Sequence, residues 1–145
     1  MWCIVRWVAL ALICGSITAH GAQASTPSVV PIEQEPAHRL VFQNEHVRVF
    51  EVWLPAGATT LWHEHLHDGV SVRLTEATVE DQSLDGTAES TRLHRGEVAY
   101  GAMPTARVPR VRSVGATTFH NIFIELLTPH DVSTDRAVTA ADVQR

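Results

Sequence analysis

The sequence contains no lysine: all 11 of its basic residues are arginine. A Schiff-base mechanism through a lysine amine is therefore excluded. Cysteine is nearly absent as well, with only Cys3 and Cys14, both inside an N-terminal segment that reads as removable. Without that segment the chain has no disulfide, no thiolate nucleophile and no cysteine metal ligand. Positive charge is scarce. Once Arg6 is removed, 10 arginines face 16 acidic residues, a charge of about −6 with histidine neutral. This argues against nucleic acid as a partner and against docking on anionic lipid, both of which need a concentrated positive surface. No convincing helical period and no internal repeat is present. The longest apolar run, Trp7 to Ile17, is too short to span a bilayer.

That run has the features of a signal peptide over residues 1–24. Arg6 supplies the positive start, and Ala22 and Ala24 in His20-Gly21-Ala22-Gln23-Ala24 form an A-x-A cleavage site. Cleavage after Ala24 and export to a periplasm or the medium are expected, with no membrane association afterwards. A lipoprotein attachment at Cys14 is disfavoured by the bulky Ile13 before it. The 145 residues suffice for one domain. Residues 25–38 carry Pro27, Pro31 and Pro36 and read as an extended arm. Residues 39–127 form the domain, and residues 128–145 a polar C-terminal tail with room for a helical turn between Thr139 and Gln144.

Within the domain, short strands follow one another. Arg39 to Phe42 comes first, then Val47 to Leu54, rich in β-branched and aromatic residues and closed by Pro55-Ala56-Gly57. Further strands are expected at Thr59–His65, Gly69–Leu74, Ala77–Asp81 and Thr87–Leu93, the last two joined at Asp85-Gly86. Gly96–Tyr100, Arg110–Val114 and Phe119–Leu127 complete the series. Such a run of strands and turns predicts an all-β sandwich or barrel.

The residues that carry chemistry are His63-Glu64-His65-Leu66-His67-Asp68, separated from Gly57 by five residues. Side chains alternate along a strand, so His63 and His65 point the same way with Cβ atoms roughly 6.6 Å apart. Two imidazoles at that spacing can converge on one metal. If the strand continues, His67 joins them as a third imidazole. A facial triad of two histidines and one carboxylate would instead recruit Asp68. The candidate metal ligands are thus His63, His65, His67 and Asp68, for one divalent ion such as Fe, Mn or Zn.

These residues resemble the cupin superfamily, whose first motif is a glycine, five residues, H-x-H, three or four residues and a glutamate. Gly57, His63 and His65 match it, and Gly96-Glu97-Val98 matches the opening of the second motif. Asn44-x-x-Val47-Arg48-Val49 and Thr118-Phe119-x-Asn121-Ile122-x-Ile124-Glu125-Leu126 also look like the flanking strands of small single-domain cupins. The resemblance runs from Leu40 to Leu127. It implies a cupin double-stranded β-helix, a jelly-roll barrel enclosing a cavity for a small molecule. It also implies metal-dependent chemistry of isomerase or dioxygenase type. The metal motif is degenerate, however. Gly69 or Val70 stands where the glutamate ligand belongs, Pro109 where the second motif has a histidine, and Ser113 where it has asparagine.

Three readings follow: a metal-dependent enzyme acting on a small polar substrate; a metal-free module binding a sugar or carboxylate; and a structural cupin acting as a homodimer through strand edges. Arg73 and Glu125 are expected to reach the interior, where they either bind a polar ligand or, as the commoner outcome, pair with one another. Of His120 and Asn121, only one can face the cavity. Trp53 and Trp62 are expected in the core or cavity wall, Glu64 in solvent, and Tyr100 in the wall with its hydroxyl at the rim. His38, His46, His94 and His130 are expected to be solvated.

Overall fold

Alternation along the last strand sets the inside and outside of the domain. In Phe119–Leu126 the side chains of Phe119, Asn121, Phe123 and Glu125 are buried, while those between them are only half-buried. A pleated strand puts successive residues on opposite faces, so one face of this strand is interior along its whole length. The computed structural model describes residues 26–128. The signal-peptide segment and nearly all of the C-terminal tail lie outside the described residues.

The strands are β1 (Val29–Pro31), β2 (His38–Gln43), β3 (Val47–Leu54), β4 (Trp62–Glu64), β5 (Gly69–Arg73), β6 (Ala77–Ser83), β7 (Ala88–Leu93), β8 (Val98–Gly101), β9 (Pro109–Ser113) and β10 (Phe119–Leu126). A 3-10 turn, Ile32–Gln34, follows β1. Strand order is β2-β3-β10-β5-β8 in one sheet and β7-β6-β9 in the other, and β1 pairs parallel with β4. The protein has the all-β cupin double-stranded β-helix fold.

Register aligns the apolar faces. On β3, Phe50, Val52 and Leu54 stand opposite Phe123, Asn121 and Phe119 of β10. With Ala77 and Val79 of β6, Leu93 of β7 and Ile32, the apolar members of these pairs form the core between the sheets. Each aromatic or branched side chain buried this way contributes roughly 1.5–3 kcal/mol. The turn between β6 and β7 needs Gly86, whose φ of +90° is disfavoured for residues with a Cβ. Asp85 supports it by accepting the Thr87 N–H at 2.9 Å.

Several expectations change here. Residues 25–38, read as an arm, belong in large part to the domain: β1 pairs with β4, and Ile32, Glu35 and His38 are buried. Arg73 and Glu125 do not pair. Glu125 is fully buried against Arg48, whose Nη2 lies 2.6 Å from Glu125 Oε2 and whose Nη1 contacts Glu33. Trp53 is 53% exposed and packs against His120 on the outer face instead of lining the cavity. Asn121 takes the interior position and His120 the outer one.

Candidate metal centre

β4 delivers His63 to the interior at 1% exposure. The following residue pair continues the alternation as far as His65, which is fixed by two backbone hydrogen bonds with Arg107, of 2.8 and 3.0 Å. There the strand ends, and the chain bends at His67. The bend carries His67 away from the other two, to a separate groove beside Glu64, Leu66 and Glu33. Asp68 is also elsewhere engaged. Its Oδ2 accepts the Tyr100 hydroxyl at 2.5 Å, and its Oδ1 accepts the Met103 N–H at 2.6 Å. The structure therefore brings His63 and His65 together but not His67 or Asp68.

A third histidine comes from the other side. His38 begins β2, opposite Val52 of β3, and is buried rather than solvated. One ring nitrogen each from His38, His63 and His65 lies within 4.8 Å of the others. Ring centroids are 4.7 Å apart for His38 and His63 and 5.0 Å for His63 and His65. The sequence hint for His38 is an acid three residues before it, Glu35. It is 25 residues away from the H-x-H pair, so only sheet register reveals the link.

Hydrogen bonds orient two of the rings. The Leu61 carbonyl, 2.9 Å from His63 Nδ1, can only accept, so Nδ1 carries the proton and Nε2 a lone pair. His38 Nδ1 lies 2.7 Å from Glu35 Oε2. Glu35 is further held by the N–H groups of Ala37 (2.8 Å) and Leu61 (3.1 Å). Burial alone would raise the Glu35 carboxyl, but the hydrogen bonds from His38 and Leu61, the His38 charge and the Ala37 N–H together hold it below the ordinary value. The carboxylate thus directs the His38 ring as outer partners of metal-binding histidines do. Burial, reinforced by neighbouring His63, His38 and Arg107, pushes the His65 imidazole down to about 3. Burial lowers His63 too, against the hydrogen bond to Leu61. Neutral imidazoles are the form that binds metal.

The residues fit a metal. Three buried imidazoles converge, and His65 Nδ1 is buried without a hydrogen-bond partner among the described residues. A nitrogen left that way is costly unless something else engages the ring. Imidazole sets suit Zn, Fe, Cu or Ni.

The cluster opens on a cavity of about 300 Å³ between the sheets, whose wall includes Ser71, Arg73, Asp81, Arg107 and Asn121. Phe123 closes one side, its ring edge-on to His65 at 5.0 Å.

No protein-family model matches the sequence, and no curated protein does. Among solved structures, a double-stranded β-helix protein from Klebsiella pneumoniae aligns over 64% of this chain and 77% of its own (17% identity, TM-score 0.49). An RmlC-like cupin family protein from Methanocaldococcus jannaschii aligns over 79% and 92% (11% identity, TM-score 0.49). A cupin domain from Bordetella pertussis Tohama I covers 61% of this chain and 90% of its own at 27% identity, with a TM-score of 0.56. The chain is a cupin-superfamily protein.

Within this cupin, the missing motif ligands have structural replacements. A Cβ on Gly69 would sit 2.4 Å from the Phe123 ring, so the space a side chain would need there is filled by Phe123. Pro109, in place of the second-motif histidine, is a fully buried part of the cavity wall. Third-ligand duty has a candidate on a different strand, in His38.

Proposed function

We propose that this cupin is a mononuclear metal protein, held by His38, His63 and His65, that acts on a small polar substrate bound in the adjoining cavity. The observation that carries the proposal is the convergence of three buried imidazoles in the wall of a cavity of about 300 Å³. That volume is at the lower end of the range for ligand pockets, about 300–1,000 Å³. A bound ion would supply Lewis-acid or oxygen-binding chemistry at that wall. The chain's own residues do the rest. Leu61 and Glu35 fix the tautomer and tilt of His63 and His38, Phe123 keeps water from one flank of His65, and polar side chains deeper in the cavity orient the substrate. Export of the protein, with an N-terminus at Ser25, belongs to the same proposal and rests on the A-x-A site at Ala22 and Ala24. The N-terminal sequence of protein recovered outside the cytoplasm tests it.

The metal reading is tested on protein stripped with chelator and reloaded with Fe(II), Mn(II) or Zn(II). About one equivalent per chain is expected, lost in the double variant His63→Ala/His65→Ala. Less than a tenth of an equivalent, unchanged in that variant, overturns it. A metal-free binding module is the second reading, favoured by Gly69 and Pro109 at two ligand positions of the motif. Ligand-induced melting shifts that ignore chelator would select it.

A further inference from the structure

Most arginines with partners in this protein face an acid. Arg39 is paired with Glu51, Arg48 with Glu33 and Glu125, Arg92 with Glu76, and Arg107 with Asp81. Arg73 differs. It projects from β5 into the cavity, and its one side-chain hydrogen bond among the described residues runs from Nη1 to Asn121 Oδ1 at 3.0 Å. Its Nε is buried with no partner among the described residues. Glu97 exerts a charge influence on it but makes no ion pair, and its Oε2 accepts the His94 N–H instead.

The surroundings hold this guanidinium in place. It lies over the Phe119 ring, 5.7 Å from the centroid, and Asn121 stands directly opposite on β10. Because arginine only donates, Asn121 must turn its carbonyl to Arg73, which leaves the Asn121 amide N–H groups for a ligand. The other cavity arginine is compensated: Arg107 Nη2 is 2.6 Å from Asp81 Oδ2. His38, also on the wall, is paired with Glu35. Arg73 is thus the arginine of the cavity wall that has no acid partner among the described residues. A partly desolvated cation with unused donors is stabilised by an anion that can accept several of them, and a carboxylate does so in a fork geometry.

The position also relates the charge to the histidines. Asn121 and Phe123 are successive inward residues of β10, and Phe123 touches the His65 ring. Two residues of strand separate them by roughly 6.6 Å. Ser71, opposite Phe123, puts a hydroxyl-bearing residue on the cavity wall between.

We propose that Arg73 and Asn121 form a carboxylate-binding subsite, so that the cavity takes a small carboxylic acid held at its acid end by Arg73 with its other end towards His63 and His65. This rests on the reading of the cavity as the substrate site. The test uses the mature full chain, metal-free and metal-loaded, in calorimetric titration with acetate, malonate and succinate, each against its amide at constant ionic strength. At least one acid is expected to bind the metal-free protein tenfold or more tightly than its amide. Arg73→Gln is expected to remove at least tenfold of that affinity while metal stoichiometry stays at the wild-type value. Should Arg73→Gln fail to fold, Asn121→Asp decides, because it keeps the arginine and neutralises it with an internal carboxylate; the same loss is expected. Acids and amides binding alike, or both variants binding as the wild type does, overturn the proposal. Arg73-dependent acid binding without metal uptake would sink the metal reading and leave the subsite standing. Metal uptake without acid preference would do the reverse.

Discussion

Glu35 accepts hydrogen bonds from three directions, and one of them comes from the His38 ring. Glu35→Gln keeps the size of the side chain but removes the charge that fixes the proton on His38 Nδ1. Metal affinity, measured by competition with a chromogenic chelator, is expected to fall about 10–100-fold, the usual effect of losing such a partner. His38→Ala should lower stoichiometry or affinity further, whereas His67→Ala should leave both unchanged, since His67 lies in a different groove. The same burial predicts acid sensitivity of the metal-free protein. His65 has a folded value of about 3 against an ordinary 6.5, and His63 is also lowered. Between those values the unfolded chain binds the proton and the folded chain does not, so stability is complete above about pH 6.5 and falls with pH towards 3. His65 contributes a slope of about 1.4 kcal/mol per pH unit in that window, and His63 adds to it in the same direction. Urea unfolding at pH 7.5, 6 and 5 measures it, and His65→Gln should flatten the slope.

Strand ends decide more of the site than strand interiors do. β5 begins at Gly69, where the Phe123 ring leaves no room for a side chain. Gly69→Ala should therefore destabilise the domain by about 1–3 kcal/mol, as overpacking does. In a Phe123→Val background the same change should cost little, and a double-mutant cycle by chemical denaturation gives the coupling. The sequence made the strands legible: Val47–Leu54 is a strand over that span, and the glycine turns at Gly57, Gly86 and Gly96 all have positive φ. Alternation also placed His63 and His65 on one face. It failed at His67 because alternation holds only while the strand lasts, and β4 stops at Glu64 with a bridge at His65. His38 was illegible for a different reason. Its approach to His63 depends on the pairing of β2 with β3 and of β1 with β4, which no local pattern encodes. Arg73 and Glu125 were both rightly sent inward, yet their partners, Asn121 and Arg48, are set by register across β10.

At the scale of the molecule, the segment before β2 belongs to the site although it supplies none of its imidazoles. β1 lies parallel to β4 and pairs Val30 with His63. Ile32, at 2% exposure, plugs the core, and Glu33 reaches the Arg48 guanidinium that neutralises buried Glu125. Glu35 then ties the Leu61 N–H to the His38 ring. These contacts act together on the strand that carries His63, so losing them should loosen both fold and site. Ile32→Ala should cost about 2–5 kcal/mol, as other buried isoleucine truncations do. A chain beginning at His38 retains all three histidines and most of the sheet pairing, but lacks β1, Ile32, Glu33 and Glu35. It should unfold at a lower denaturant midpoint than the chain beginning at Ser25 and should bind much less than one equivalent of metal. If the shortened chain matched the longer one in both measurements, the segment would be an ornament on a barrel complete without it. A fall in metal binding larger than that of Ile32→Ala at equal stability would show that Glu35 and β1 shape the histidine cluster itself, beyond holding the domain together.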